Sequence, residues 1–564
     1  MMSSTELSKP PAPNRRLSIC LINPRSKPSY WTFDFAMPFF NLGRKPQCSM
    51  ANGSVIAVAA LVPAAHEVVI LDENVEPIDF ESLRRFDVIG VTGMIVQRDR
   101  MREILLKLRS LPAMVVAGGP FVTVSDTAFE PLCDVRFIGE AEQTWPAFLD
   151  ALASGARVER RYEQAEKTDM TTVPVPRFDL LRRHRYASAP VQFSRGCPFL
   201  CEFCDIITIF GRRPRVKRAA QVLAELDALT AQGFNDCFLV DDNFIGNKLE
   251  AKRLLRCLIE WQKARGYPLT FTTEASINLA NDTEFIDLMV QSNFRSVFIG
   301  IETPRIDSLK ETRKLQNVHG DSLLEKIDRI RERGLVVTAG FIVGFDNDDE
   351  SIFDEQFEFI QASGIANLSI SLLTPLPTTP LYDRLVQEGR LDYGDPEIPY
   401  LPIKMSREQL KVGFRQLLSR VFDPDAYFDR AFEGFSGSTG VRLKGAAIAA
   451  RNLQGPSGHL RSSAGAAVRA VRLGCVMARD GELRRHLRVC LRVVRRNAAL
   501  GPNGFTFEAL VNLWVTYWHF ASVTRYLSGT DFGTVPQPLT QPPIETKSPI
   551  TISASESMPA GQTH

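Results

Sequence analysis

The chain has 564 residues, is 44% hydrophobic and 23% charged, and carries a formal net charge of only +2. That length exceeds one ordinary domain, and the composition is that of a folded globular protein rather than a disordered or fibrous one. The near-balanced charge excludes a chain that finds its partners by bulk basicity or acidity, and no recognised RNA-binding module is present, so no nucleic-acid partner is expected.

Residues 1–16 are polar and rich in Ser and Pro and read as a disordered arm without the apolar core of a secretory signal. Short apolar strands are predicted at 17–23, 67–72, 86–92, 113–118 and 135–139, with helices at 55–61 and 98–108. Strands alternating with helices predict a doubly wound parallel sheet, a Rossmann-like domain over residues 17–150. Ligands of such sheets lie at the carboxyl ends of the strands. Those ends carry Asn23, then Thr92-Gly93-Met94, Gly118-Gly119-Pro120 and Gly139-Glu140.

Residues 151–190, rich in Arg, Thr and Pro, read as a linker. A second alternating series follows over 191–390, with strands at 191–194, 237–240, 269–273, 296–300, 336–343 and 367–373 and helices at 219–232 and 249–265. Six such units suit a partial (β/α)6 barrel, whose chemistry sits in the loops after the strands. Residues 391–535 read as a mainly helical C-terminal domain, and 536–564 as a disordered tail. The fold class is α/β overall. Within 441–500 there are thirteen Lys and Arg against two acids, Asp480 and Glu482. A helix at 483–494 would gather Leu483, Leu487, Cys490, Leu491 and Val494 on one face among five arginines. Such a helix either lies on an anionic membrane or docks on the barrel as a solvated surface helix. The apolar stretch 509–524 is shorter than a membrane span and contains Asn512, Thr516 and His519. A cytoplasmic protein is expected, with peripheral contact at the inner membrane face as the alternative.

Ten cysteines are present, and three of them, Cys197, Cys201 and Cys204, form a C-x3-C-x2-C triplet in the loop after the first barrel strand, with Phe203 before the third. A [4Fe–4S] cluster ordinarily takes four thiolates, so three leave one iron open to bind and reduce a small molecule. Zinc usually asks for four ligands in two pairs, and no second pair lies nearby. A disulfide asks for an oxidising compartment.

The triplet with its aromatic resembles the signature of the radical S-adenosylmethionine (SAM) enzymes. Further segments resemble that superfamily's SAM-binding elements: Asp241-Asp242-Asn243 after the second strand, Glu274 and Ser276 after the third, Glu302 at the end of the fourth, and Gly340 and Ile342 on the fifth. With Phe203 these are the expected SAM contacts. A turn at 375–379 resembles the superfamily's P-x-P-G-T, with Thr378 where glycine is usual.

A Rossmann-like module before such a barrel resembles the cobalamin-dependent radical SAM family, and the segments around 92–98, 204–207, 240–248, 272–278, 300–302 and 338–346 resemble its subgroup containing the hopanoid C-2 methylases. The resemblance implies cobalamin contacts at Asn23, Thr92, Gly93, Met94, Gln97, Gly118, Gly119, Pro120, Gly139 and Glu140. The cobalt-ligating D-x-H-x-x-G is absent; His66 has neither the Asp nor the Gly of that motif. The implied cofactors are a [4Fe–4S] cluster, SAM and methylcobalamin. The implied reaction methylates an unactivated carbon of a hydrophobic substrate (lipid or hopanoid-like, or a natural product), with a flavodoxin- or ferredoxin-type electron donor. A cobalamin-dependent cyclisation or rearrangement without methylation is the alternative.

Overall fold

The computed structural model describes residues 15–40, 48–436, 456–479, 483–501 and 504–529. The expected disordered tail, and all but the last two residues of the expected N-terminal arm, lie outside the described residues. So do Asp480 and Glu482.

Fifteen strands are described: β1 (Ser18–Asn23), β2 (Cys48–Met50), β3 (Glu67–Asp72), β4 (Val88–Thr92), β5 (Met114–Gly118), β6 (Val135–Ile138), β7 (Arg161–Glu163), β8 (Tyr186–Val191), β9 (Ser194–Arg195), β10 (Arg215–Val216), β11 (Asp236–Leu239), β12 (Thr270–Glu274), β13 (Phe294–Glu302), β14 (Val336–Val343) and β15 (Leu368–Leu372). The first sheet runs β3-β1-β4-β5-β6-β7, all parallel. Its strands β1, β3, β4 and β5 are largely apolar runs, as expected where helices cover both faces. The helix Arg98–Leu108 buries Met101, Ile104, Leu105 and Leu108, a helical i, i+3, i+4, i+7 stripe, against one of those faces.

The second sheet runs β15-β14-β13-β12-β11-β8-β2 and is also parallel. Burial alternates along it. Val297, Ile299 and Ile301 of β13 and Val337, Ala339, Phe341 and Val343 of β14 are buried in the core shared with the surrounding helices. Their alternates Ser296, Phe298, Gly300, Thr338, Gly340 and Ile342 face the concave side and stay partly accessible. A closed eight-stranded barrel packs its interior with side chains. This open one lines its interior with hydroxyls, glycines and a few rings, which leaves room for ligands.

Two short strands cross the boundaries drawn from the sequence. β2 joins the barrel sheet beside β8, and β7, inside the expected linker, closes the edge of the first sheet. The first barrel strand is β8, five residues earlier than expected; residues 194–195 pair antiparallel with β10 instead. The pattern rule fails here because Tyr186–Val191 contains Ser and Pro and shows little apolar run of its own. Pro190 is tolerated in a ladder that needs only some of its N–H groups.

The C-terminal region forms the helices Arg407–Val421, Pro424–Ser436, Pro456–Arg479, Leu483–Ala499 and Phe507–Leu527. The helix Leu483–Ala499 packs through His486, Val489 and Val493, which are buried. Leu487, Leu491 and Val494, expected to share one face with Leu483 and Cys490, are 52%, 57% and 57% exposed. The helix packs against its helical neighbours, with Arg492 and Arg496 paired to Asp429 of Pro424–Ser436 and His486 beside Trp518 of Phe507–Leu527. Among the described residues no helix is long and apolar enough to cross a membrane.

Candidate active site

The cysteine loop is held at its base by the β9–β10 pair and at its neck by Gly196. That residue has φ 97°, and a Cβ there would lie 2.8 Å from the Gly211 carbonyl oxygen, so only glycine fits. The loop's backbone is then fixed from β11. Asp241 Oδ1 accepts from the Phe193 and Ser194 N–H groups at 2.7 and 2.8 Å, and Asp242 Oδ2 accepts from Gly196 N–H at 2.7 Å. Inside the triplet, Glu202 receives Arg384 at 2.7 Å, its N–H donates to Thr312 O, and its carbonyl accepts from Leu381. The loop is therefore clamped from three sides before any cofactor enters.

The thiols themselves are in close company. Burial pushes Cys204 up to about 12 and raises Cys197 too, and for both the charge on the neighbouring cysteines adds to the rise. Two buried amides point N–H groups at sulfur: Gln316 Nε2 lies 3.5 Å from Cys201 Sγ, and Asn243 Nδ2 lies 3.8 Å from Cys197 Sγ. Lys314, buried and ion-paired with Glu302, sits 5.8 Å from the Phe203 ring centroid. Among the described residues no three His, Cys, Asp or Glu side chains converge to hold a single metal ion. A [4Fe–4S] cube takes one thiolate per iron and needs no such convergence. Three thiols with N–H donors and a buried cation beside them fit an anionic cluster.

Several of the expected SAM residues lie against this loop or on the concave face beside it. Asn243 also bonds Ser276, donating to Oγ at 3.1 Å and accepting from its N–H at 3.2 Å. Glu274, Phe298 and Thr338 are lateral neighbours on the concave face, and Gly300 pairs with Gly340 one step on. Glu274 is surface-accessible, yet the protein around it pushes its carboxyl up to about 7, with Asp242 adding to the rise. A Cβ on Gly340 would come within 2.9 Å of Phe298 Cζ. Glu302 is engaged by Lys314, at a β-bulge where its own φ is 66° and Asn317 donates to the Gly300 and Ile301 carbonyls. The Asp-Asp-Asn segment thus spends three of its oxygens on loop and neighbour N–H groups. Among the described residues Asp241 Oδ2 is buried and unpartnered.

At the crest of the first sheet, Asn23 accepts from Asn52 at 2.9 Å and from Gln97 at 3.1 Å and donates to Asp72. Gln97 also accepts from Met94 N–H. Met94 itself is 57% exposed. Gly119 has φ 98°, and a Cβ there would collide with Thr92 Oγ1. Glu140 is turned to the barrel: its carboxylate pairs with Arg195 at 2.7 Å and Arg215 at 3.0 Å and accepts Thr168 N–H. It links the two sheets at the base of the cysteine loop. His66 accepts Leu17 N–H through Nδ1, a strand-end contact.

One feature escaped the motifs. The segment after β1 carries Tyr30, Trp31, Phe33 and Phe35 to the helix Phe507–Leu527. Trp31 stands edge-on to Phe298 at 5.2 Å and to Phe520 at 6.3 Å, Tyr30 stacks on Phe422 and Phe520, and Phe33 stacks on His519 at 4.9 Å. Aromatic density at 30–40 was the available signal. Lys314 and Gln316 gave none.

The chain's matches agree with this geometry. Residues 50–149 match the B12 binding domain, 191–383 the radical SAM superfamily, and 379–528 a domain of unknown function, DUF4070. The chain is 40% identical over 427 residues to an uncharacterized methyltransferase of Synechocystis sp., covering 74% of this chain and 78% of that protein. It is 32% identical over 416 residues to the hopanoid C-2 methylase of Rhodopseudomonas palustris, covering 73% and 78%. The chain belongs to the cobalamin-dependent radical SAM methyltransferase family. Its cofactors are accordingly a [4Fe–4S] cluster, SAM and cobalamin. Its fold is similar to that of the cobalamin-dependent SAM radical enzyme OxsB, with a TM-score of 0.58 at 16% identity over 91% of this chain and 80% of that one.

Proposed function

We propose that this enzyme methylates an unactivated carbon of a hydrophobic substrate, of lipid, hopanoid-like or other natural-product class. The observation that carries the reading is the aromatic wall: Trp31, 37% exposed, against Phe298 on the concave face, backed by Phe520. Rings beside an open interior would bind an apolar skeleton and exclude water from it. When bound, the cluster and SAM supply radical chemistry and cobalamin carries the methyl group. Cys197, Cys201 and Cys204 would hold the cluster. Phe203, Asn243, Ser276, Glu274 and the free edge of Asp242 would face SAM, with Gly340 and Ile342 giving the adenosine side its close approach. Asp241 and Glu302 would act behind them, fixing the loop and Lys314. Asn23, Thr92, Gly93, Met94, Gln97, Gly118, Gly119, Pro120 and Gly139 would line the cobalamin face, with Glu140 bracing it to the barrel. A flavodoxin- or ferredoxin-type donor would deliver the electron.

The test is anaerobic reconstitution with iron, sulfide and cobalamin, followed by incubation with a lipid extract and deuterated-methyl SAM. The expected result is a labelled methyl on an apolar product together with 5′-deoxyadenosine. Deoxyadenosine with an unlabelled, rearranged product would overturn methylation in favour of cyclisation or rearrangement. Label confined to polar products would overturn the substrate class.

A further inference from the structure

The helix Leu483–Ala499 has three distinct sides. His486, Val489 and Val493 pack inward. On one flank, Arg485 pairs with Asp423, Arg492 with Asp425 at 2.7 Å and Asp429 at 3.5 Å, and Arg496 with Asp429 at 2.8 Å and Glu433 at 2.6 Å. That row of acids, on and just before the helix Pro424–Ser436, accounts for those arginines. On the remaining side, Leu487, Leu491 and Val494 recur at i, i+4 and i+7 and lie more than half exposed. Arg484, Arg488 and Arg495 run beside that stripe, since successive helical residues turn by about 100°. All three are exposed and, among the described residues, none has a carboxylate within salt-bridge distance.

We propose that this face binds the surface of an anionic lipid bilayer. A solvated helix has no use for three large aliphatic side chains in water beside three uncompensated guanidiniums. An interfacial helix uses both: the aliphatics enter the acyl boundary and the arginines meet lipid phosphates. Among the described residues the acids lie on the other flank, which leaves this one positive and complementary to an anionic surface. The contact is peripheral, because no described helix spans a bilayer. The neighbouring helix Phe507–Leu527 carries Phe520 against Trp31 and His519 against Phe33, so a docked enzyme would hold its aromatic wall close to the lipid phase.

The test uses the full-length holoprotein and sedimentation with vesicles of phosphatidylcholine alone or mixed with phosphatidylglycerol. Binding is expected only to the mixed vesicles, weakened roughly tenfold or more in about 0.5 M salt. The triple variant Arg484→Glu/Arg488→Glu/Arg495→Glu should lose at least about tenfold in affinity. Leu487→Ser/Leu491→Ser/Val494→Ser should lose as much, while a charge-matched control, Arg109→Glu/Arg157→Glu/Arg160→Glu, should bind as the parent does. All nine positions are exposed, and circular dichroism checks that the fold is kept. Equal binding to both vesicle types, or unchanged binding by either helix variant, would overturn the proposal. Absence of vesicle binding together with self-association that the serine variant abolishes would assign the stripe to a second copy instead. Vesicle binding is read without turnover, so its failure leaves the methylase reading untouched.

Discussion

His519 offers a sharp physical test of how the aromatic wall is held. Its imidazole is fully buried, stacks on Phe33, and donates from Nε2 to the Tyr30 carbonyl at 3.0 Å; Nδ1 has no partner among the described residues. Burial pulls its pKa down to about 4, only partly offset by the carbonyls of Tyr30 and Ser29. A base whose folded pKa is depressed contributes its full stability above the unfolded value, near 6.5, and loses it as pH falls toward the folded one. Between pH 7.5 and 5 that linkage is worth about 2 kcal/mol, or roughly a 30-fold loss of protection against opening. Hydrogen exchange over the helix Phe507–Leu527, corrected for intrinsic rates, reads the opening free energy directly. His519→Gln keeps an N–H donor for Tyr30 and removes the titration, so its protection should be lower at pH 7.5 but flat down to pH 5. Wild-type protection that does not fall over this window, or a fall of the same size in the Gln variant, would refute the assignment of a neutral buried imidazole.

Three further outcomes follow from the cysteine loop and its surroundings. Asp241→Ala strands two buried backbone donors and should cost about 2–6 kcal/mol, while Asp241→Asn keeps an acceptor and should cost about 1 kcal/mol; thermal unfolding and iron content check both. Gln316→Leu removes the N–H donated to Cys201 and should shift the cluster midpoint negative by about 40 mV, the one-electron equivalent of a hydrogen bond of about 1 kcal/mol, in an EPR-monitored redox titration. Thr378 has φ 71°, the left-handed region where the superfamily's usual glycine is at ease. Thr378→Gly should therefore stabilise by about 0.5–1 kcal/mol, visible as a rise of about 2 °C in the melting temperature of the barrel.

Much of the architecture was legible because its signals are local. The parallel strands β3, β4, β5, β14 and β15 announce themselves as apolar runs bounded by Gly, Asp or Thr, and the helix Arg98–Leu108 by its stripe. What escaped was decided by tertiary pairing. β2 and β7 have three residues each and no pattern of their own; they are strands only because an edge is free beside them. The helix Leu483–Ala499 carries two apolar stripes, Leu487-Leu491-Val494 and Val489-Val493. Periodicity finds both and cannot rank them. The acids on and just before the helix Pro424–Ser436 decide, because pairing Arg485, Arg492 and Arg496 with them turns the valine stripe inward.

The Asp-Asp-Asn segment carries the same lesson to the site. Resemblance located it beside the cluster loop, and there it lies, but its position said nothing of how its oxygens are shared. Asp241 holds two N–H groups of the chain entering the loop, Asp242 holds the N–H of Gly196 immediately before Cys197, and Asn243 bridges Cys197 to Ser276. A carboxylate buried at such a position favours its neutral form, and burial pushes Asp241 up to about 7 and Asp242 up to about 6. Both are held ready for charge by the N–H groups aimed at them. These acids therefore act first on the backbone that presents the thiols. Asn243 is engaged by Ser276 and Cys197, which leaves the second oxygen of Asp242 as the edge proposed to face SAM. Loop geometry is thus set by these three residues, so a change at any of them should alter cluster assembly before it alters affinity for SAM.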